Sequence, residues 1–137
     1  MEEIKGRARG FGRDIEVYTV GQVICRASQR EAEDYYRHAI IDHADWSAVE
    51  RMLELRNITP QKFSADDYAA KRRYFAGNAI GGYPFVGTPD RVAQELAGLS
   101  KAGLRGIALS FVDYLGELPY FRDEVLPRLA RMGVRQS

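Results

Sequence analysis

The side chains best suited to chemistry are few in this chain, and their spacing decides what they can do. His38 and His43 stand five apart, with Asp42 and Asp45 beside them. Metal ligands on one helix face need a separation of three or four, so this pair diverges and reads as two unligated imidazoles with no metal site. Cys25 is the single cysteine. It excludes an intramolecular disulfide framework, fits a reducing compartment, and near a strand end reads as a buried, inert thiol. No nucleophile elbow, P-loop or dinucleotide fingerprint occurs. Gly81-Gly82 and Gly87-Thr88 could bring backbone amides near a phosphate at a helix start, though the favoured reading of Thr88 is an ordinary N-cap. Catalytic residues stay unknown from spacing alone.

The elements that must position any site are clearer. Ile15 to Cys25 is rich in β-branched and aromatic residues, and Phe85-Val86 and Ile107-Ala108-Leu109 are short apolar runs of buried parallel-strand type. Each run is followed by a turn signal and a helical pattern. Gly21, inside the first run, marks a bulge or a close approach of another backbone or ligand. Ser28 to Glu31 is a capping box opening a helix through Ile41. A second helical pattern spans His43 to Leu55, and a third begins at Ser64 and stops at Gly77-Asn78. Thr88-Pro89-Asp90 starts a helix that Gly103 ends, and a closing helix runs from Leu118-Pro119 to Met132.

Alternation of strand and helix is the grammar of a barrel or a doubly wound sheet. In a barrel, side chains at C-terminal strand ends face the active site. Those positions are Gln22 and Cys25 on the first strand, Gly87 and Thr88 after the second, and Ser110, Phe111, Asp113 and Tyr114 after the third. They hold no nucleophile and base pair, which suits a site where a cofactor supplies the chemistry.

Composition sets outer limits. The chain has 137 residues, whereas a complete (β/α)8 barrel needs roughly 250. A net charge of +1 provides no broad field for nucleic acid or an anionic membrane. Arg7, Arg9 and Arg13 read as a solvated lead-in. No apolar run is long enough to span a bilayer and no signal peptide is visible, so a soluble, cytoplasmic protein is expected.

Tyr83-Pro-Phe-Val-Gly-Thr-Pro-Asp, then Gly106-Ile-Ala-Leu-Ser-Phe, then Glu117-Leu-Pro-Tyr-Phe-Arg-Asp-Glu-Val-Leu-Pro-Arg-Leu together carry a resemblance. This wording resembles the C-terminal end of the luciferase-like, flavin-dependent monooxygenases, nearest their dimethylsulfone and alkanesulfonate branch. The resemblance implies an α/β fold, the C-terminal part of a (β/α)8 TIM-type barrel, with about three parallel strands, helices and a helical insertion. It divides one partial barrel domain, 1–137, into a βα unit at 15–42, a helical insertion at 43–80 and two terminal βα units at 81–137. The implied function is oxidation of a small organic, sulfur-containing substrate with O2 and reduced FMN, most of whose binding residues would lie outside this chain. Gln22, Ser110, Phe111 and Tyr114 become candidate substrate- or flavin-facing residues, and Gly87 and Thr88 candidate phosphate neighbours. Alkanesulfonate enzymes carry an Arg-x-His pair whose positions here are Val20 and Gln22, so their sulfonate chemistry is not implied and a neutral sulfone fits better. The implied partners are a missing N-terminal half-barrel or a second copy, together with a flavin reductase. The isolated chain would then be inactive; the alternative is a non-catalytic half-barrel acting as a homodimeric or binding module.

Overall fold

A computed structural model describes residues 1–77 and 82–134. Three parallel strands form one sheet: β1 (Tyr18–Cys25), β2 (Tyr83–Gly87) and β3 (Gly106–Phe111). Seven α-helices are described around them: α1 (Glu2–Gly10), α2 (Gln29–Tyr36), α3 (Trp46–Leu55), α4 (Ala65–Gly77), α5 (Pro89–Lys101), α6 (Tyr114–Tyr120) and α7 (Leu126–Arg131). The class, the three parallel strands and the helical excursion between the first two are as the sequence implies.

The strand order is β2-β1-β3, with β1 in the centre. Consecutive strands of a barrel are neighbours, whereas here the connection through α5 steps across β1 to reach β3. Because crossovers between parallel strands are right-handed, reversing direction from a central strand sends the two connections to opposite faces. The packing follows that rule. Val23, Cys25 and Phe85 meet Val92, Ala93, Leu96 and Ala97 of α5, with Phe121, Val125 and Leu129, in the main core. On the other face Ile24 and Val86 meet Ala32, Tyr35 and Tyr36 of α2, with Ile40. Residues 21–25 are therefore buried from both sides, which explains a continuous apolar run instead of an alternating one.

Gly21 sits in unbroken register with Tyr83 on one side and Leu109 on the other, so the bulge reading is not what the strand does. A Cβ there would run into the Phe85 ring and lie 3.1 Å from the Tyr83 carbonyl. Close packing, not curvature, accounts for this glycine. The strand also begins at Tyr18, three residues later than its composition suggests.

Two helices depart from the expected spans. The first continues past Tyr36 as a π-helical turn over Arg37–Asp42. The closing helix starts earlier, at Tyr114, and passes through a π turn at Phe121–Val125 before α7. Pro127 lacks an N–H for the usual bond back to residue 123, and a wider turn there accommodates that loss. The arginine-bearing start is solvated and helical: Glu2–Gly10 has acidic residues in its first turn and basic ones in its last, and it buries nothing. Charge placed to match the helix dipole stabilises it in place of an apolar stripe. α3 and α4 pack on each other around Val49, Leu53 and Ala76, a core separate from both faces of the sheet.

Thr88 accepts a hydrogen bond from the Arg91 amide and caps α5. Thr88→Ala should lower stability by about 1 kcal/mol, and Phe85→Ala, emptying a site only 1% exposed, by about 3–5 kcal/mol. Urea unfolding followed by circular dichroism measures both; equal losses would mean the Phe85 site collapses without a cavity.

Candidate functional site

Where strand order reverses about a central strand, the connections leave on opposite faces and open a crevice outside the carboxyl ends of the strands. Such a cleft, of about 460 Å³, lies beyond the ends of β1 and β3, lined among others by Cys25, Arg26, Glu31, Asp113, Glu117 and Tyr120. A larger and shallower depression, about 690 Å³, lies on Tyr18, Thr19, Val20, Gly106, Ile107 and Ala108, where it meets mainly apolar surface. The cleft at the carboxyl ends is the one with chemical groups.

Its organising contact is an ion pair. Arg26, the first residue after β1, donates from one Nη to the Cys25 carbonyl at 2.9 Å and from the other to Glu117 at 2.5 Å. The second oxygen of Glu117 accepts from the Asp113 amide at 3.0 Å, so the carboxylate also ties down the start of α6. The Arg26 guanidinium lies 4.1 Å from the centre of the Tyr35 ring, a cation–π contact that fixes its plane. The Glu117 side chain is 9% exposed and that of Arg26 25%. Attraction in such a setting is largely offset by desolvation, so the pair positions more than it stabilises, yet removing one partner strands the other.

The thiol and the phenol of the cleft are held uncharged. Burial pushes the Cys25 thiol up to about 11, with Arg26 and Arg128 opposing the rise. Burial likewise raises Tyr120 above the ordinary tyrosine value. Neither is a nucleophile or base near neutral pH. The cleft therefore offers shape, hydrogen-bonding groups and a positioned ion pair.

The residues singled out from sequence are distributed over both faces. Gln22 and Ser110 are register partners on one face and so are brought together. Ser110 donates to the Gly21 carbonyl at 3.3 Å. Gln22 is 2% exposed, in the interior of β1, and its Nε2 has no hydrogen-bond partner among the described residues. Phe111 points to the opposite face, edge-on to Phe121 at 5.5 Å and to Tyr114 at 6.5 Å. Tyr114 opens α6 and is 62% exposed. Asp113 caps α6 through its side chain. Gly87 is buried and its carbonyl accepts from the Arg26 amide at 3.1 Å. Gly81 lies outside the described residues. His43 Nδ1 stands 2.8 Å from the His38 carbonyl, and among the described residues no group of three or more His, Cys, Asp or Glu could hold a metal.

The β2-to-α5 turn does not fit the phosphate of a flavin nucleotide. A Cβ at Gly87 would meet Gln29 Oε1 at 2.6 Å and Arg91 Cδ at 2.8 Å, so two long side chains crowd this turn. Thr88 is engaged as a cap, Pro89 offers no N–H, and Asp90 puts a carboxylate in the first turn, paired with Arg128 at 2.7 Å. Among the described residues two buried donors are left without a hydrogen-bond partner, the Gln22 amide in β1 and Arg72 Nε on α4, and buried donors are nearly always paired. Sequence reading missed Arg26 and Glu117, because nothing in local spacing links residues 91 apart.

A family model described as luciferase-like monooxygenase matches residues 1–106. The chain belongs to the luciferase-like monooxygenase family. Solved structures agree on the fold across the rest of its length. Riboflavin lyase RcaE, crystallised with modified FMN and its substrate riboflavin, superposes with a TM-score of 0.75 at 22% identity, over 99% of this chain and 36% of that one. DmoA from Hyphomicrobium sulfonivorans superposes with a TM-score of 0.75 at 21% identity, over 99% of this chain and 35% of that one. This luciferase-like chain thus spans about a third of the length of each. No curated protein sequence matches it.

Two outcomes follow from the buried groups. Gln22→Leu removes an unpaired amide at similar volume, so it should leave the stability of the chain unchanged or raise it by about 1 kcal/mol; a clear loss in urea unfolding would mean the amide is satisfied. Cys25, being protonated more firmly when folded, contributes stability that is complete below its ordinary value of 9.0 and lost as pH rises through about 11. Labelling by a thiol reagent at pH 8 should therefore be far slower in the native chain than in urea, and equal rates would contradict the burial.

Proposed function

We propose that the chain forms the C-terminal portion of a reduced-flavin-dependent monooxygenase that uses O2 to oxidise a small organic, sulfur-containing molecule. The match of residues 1–106 to the luciferase-like monooxygenases carries this reading. Its site chemistry supports it: a thiol and a phenol held protonated, an ion pair used for positioning, and no nucleophile with a base. Reduced FMN, when bound, supplies the electrons for O2, and a flavin reductase is the partner that would deliver it. The residues that hold its phosphate are assigned to the portion of the fold this chain does not span.

What this chain contributes is recognition. Gln22 Nε2 is a neutral donor without an acceptor among the described residues, suited to an uncharged sulfone oxygen better than to a sulfonate, which calls for a cation. RcaE, crystallised with riboflavin as substrate, makes riboflavin the competing substrate to assay. Among the described residues no helix is long and apolar enough to cross a membrane, and a cytoplasmic setting belongs to the same proposal.

The purified chain alone, given reduced FMN, O2 and dimethylsulfone, should show no turnover; co-expressed with the missing portion of a related barrel it should. In that restored enzyme Gln22→Leu and Tyr114→Phe should each lower turnover by about tenfold or more, roughly the loss of one hydrogen bond to a reacting group, with Thr88→Ala close to unchanged. Turnover by the chain alone would overturn the expected inactivity. A restored barrel that binds no flavin would overturn the enzymatic reading.

A further inference from the structure

Five residues apart, His38 and His43 diverge on an α-helix, and on that ground alone their spacing excludes a shared metal ion. The segment that carries them is not α-helical. Arg37–Asp42 is a π-helix, in which each amide bonds to the carbonyl five residues back, and the His43 amide donates to the His38 carbonyl at 3.3 Å. One π turn thus sets the two residues above one another. Their rings meet with centroids 4.2 Å apart, inclined at 60°. No other histidine occurs in the chain.

The ring nitrogens are also left in a state to ligate. His43 Nδ1 stands 2.8 Å from the His38 carbonyl, and because a carbonyl oxygen only accepts, that nitrogen carries a proton and donates. In the neutral ring Nε2 then presents its lone pair. A backbone oxygen holding one ring N–H is the usual way a metal-binding imidazole is oriented. Neither nitrogen of His38 has a hydrogen-bond partner among the described residues. Both residues are exposed, so an ion and its waters reach them.

We propose that His38 and His43 chelate one divalent transition-metal ion of the imidazole-seeking class, such as Zn²⁺, with water completing its coordination. Zn–N bonds of about 2.0–2.1 Å put two ligating nitrogens about 3.3 Å apart at the tetrahedral angle, a separation that rings centred 4.2 Å apart reach by small side-chain rotations. Among the described residues no third His, Cys, Asp or Glu joins the pair. Asp45, two residues on, is engaged as the cap of α3, accepting from the Ala48 amide and the Ser47 hydroxyl. With two protein ligands the site is open and exchangeable, unlike the closed four-ligand sites that hold a fold together. Imidazole ligands favour Cu²⁺, Ni²⁺ and Zn²⁺ and do not serve Mg²⁺, which takes oxygen. The pair shares no residue with the cleft of Arg26 and Glu117, so the proposal stands independently of the flavin reading. A bound ion would brace the last turn before α3, where the helical excursion leaves the sheet.

The test uses the full chain without a histidine tag, stripped of metal and titrated with zinc chloride in a calorimeter, with the imidazole nitrogens followed by nuclear magnetic resonance. One Zn²⁺ per chain is expected. His38→Ala and His43→Ala should each weaken binding by about tenfold or more, and the double variant should bind no more weakly than either single one, because a chelate needs both rings. His38→Ala is the cleaner of the two, since the carbonyl that His43 bonds belongs to the main chain and stays in place. On adding Zn²⁺ the His43 Nε2 resonance should shift while Nδ1 keeps its proton, a change that a merely structural ring contact would not produce. Cys25→Ser should leave the affinity unchanged, its thiol being buried. Absence of Zn²⁺ binding, unaltered affinity in His38→Ala, loss of binding in Cys25→Ser, or Mg²⁺ bound as tightly as Zn²⁺ would each overturn the proposal.

Discussion

Everything in this chain is arranged around the pairing of β1 on both of its edges. Five consecutive residues, Gly21 to Cys25, are buried, and in register they meet β2 on one side and, as far as Val23, β3 on the other. A parallel strand buried on both faces has to be apolar throughout, since every side chain meets a helix and every backbone group a neighbour. Gln22 is the exception, and its orphan amide is what makes the position informative. A polar side chain in the most protected strand costs stability unless something outside the described residues accepts its hydrogen bond.

The central placement of β1 also sets where chemistry can happen. Because the connections depart on opposite faces, their ends diverge beyond Cys25 and Phe111, and the space between them is the cleft. The ion pair of Arg26 and Glu117 spans that space, joining the residue after β1 to the helix after β3. It fixes the separation of the two strand ends more than it adds net stability, as partly buried pairs generally do. The core of Val49, Leu53 and Ala76 is a separate cluster from those on the two faces of the sheet.

Local features were legible in the sequence and long-range ones were not. The capping box at Ser28, the cap at Thr88 and the three strand positions follow from residue types within a few positions of each other. Strand order does not, because β1, β2 and β3 have similar apolar character and nothing in Phe85-Val86 or Ile107-Ala108-Leu109 says which lies next to which. The Arg26 to Glu117 contact is invisible for the same reason. α1 was missed on different grounds: with Ile4 as its only large apolar residue, it carries its helical signal in charge placement instead of an apolar stripe. For the site, Gln22 and Ser110 were placed together by a shared strand register, whereas Phe111 went to the other face through the two-residue period of a strand.

The central claim is that β1 lies between the other two strands, and cross-strand proton contacts measured by nuclear magnetic resonance on the folded chain test it directly. The account predicts nuclear Overhauser effects joining residues 18–23 to 106–111 and 21–25 to 83–87, the registers of the sheet. Contacts joining 83–87 to 106–111, the order of consecutive barrel strands, would contradict it.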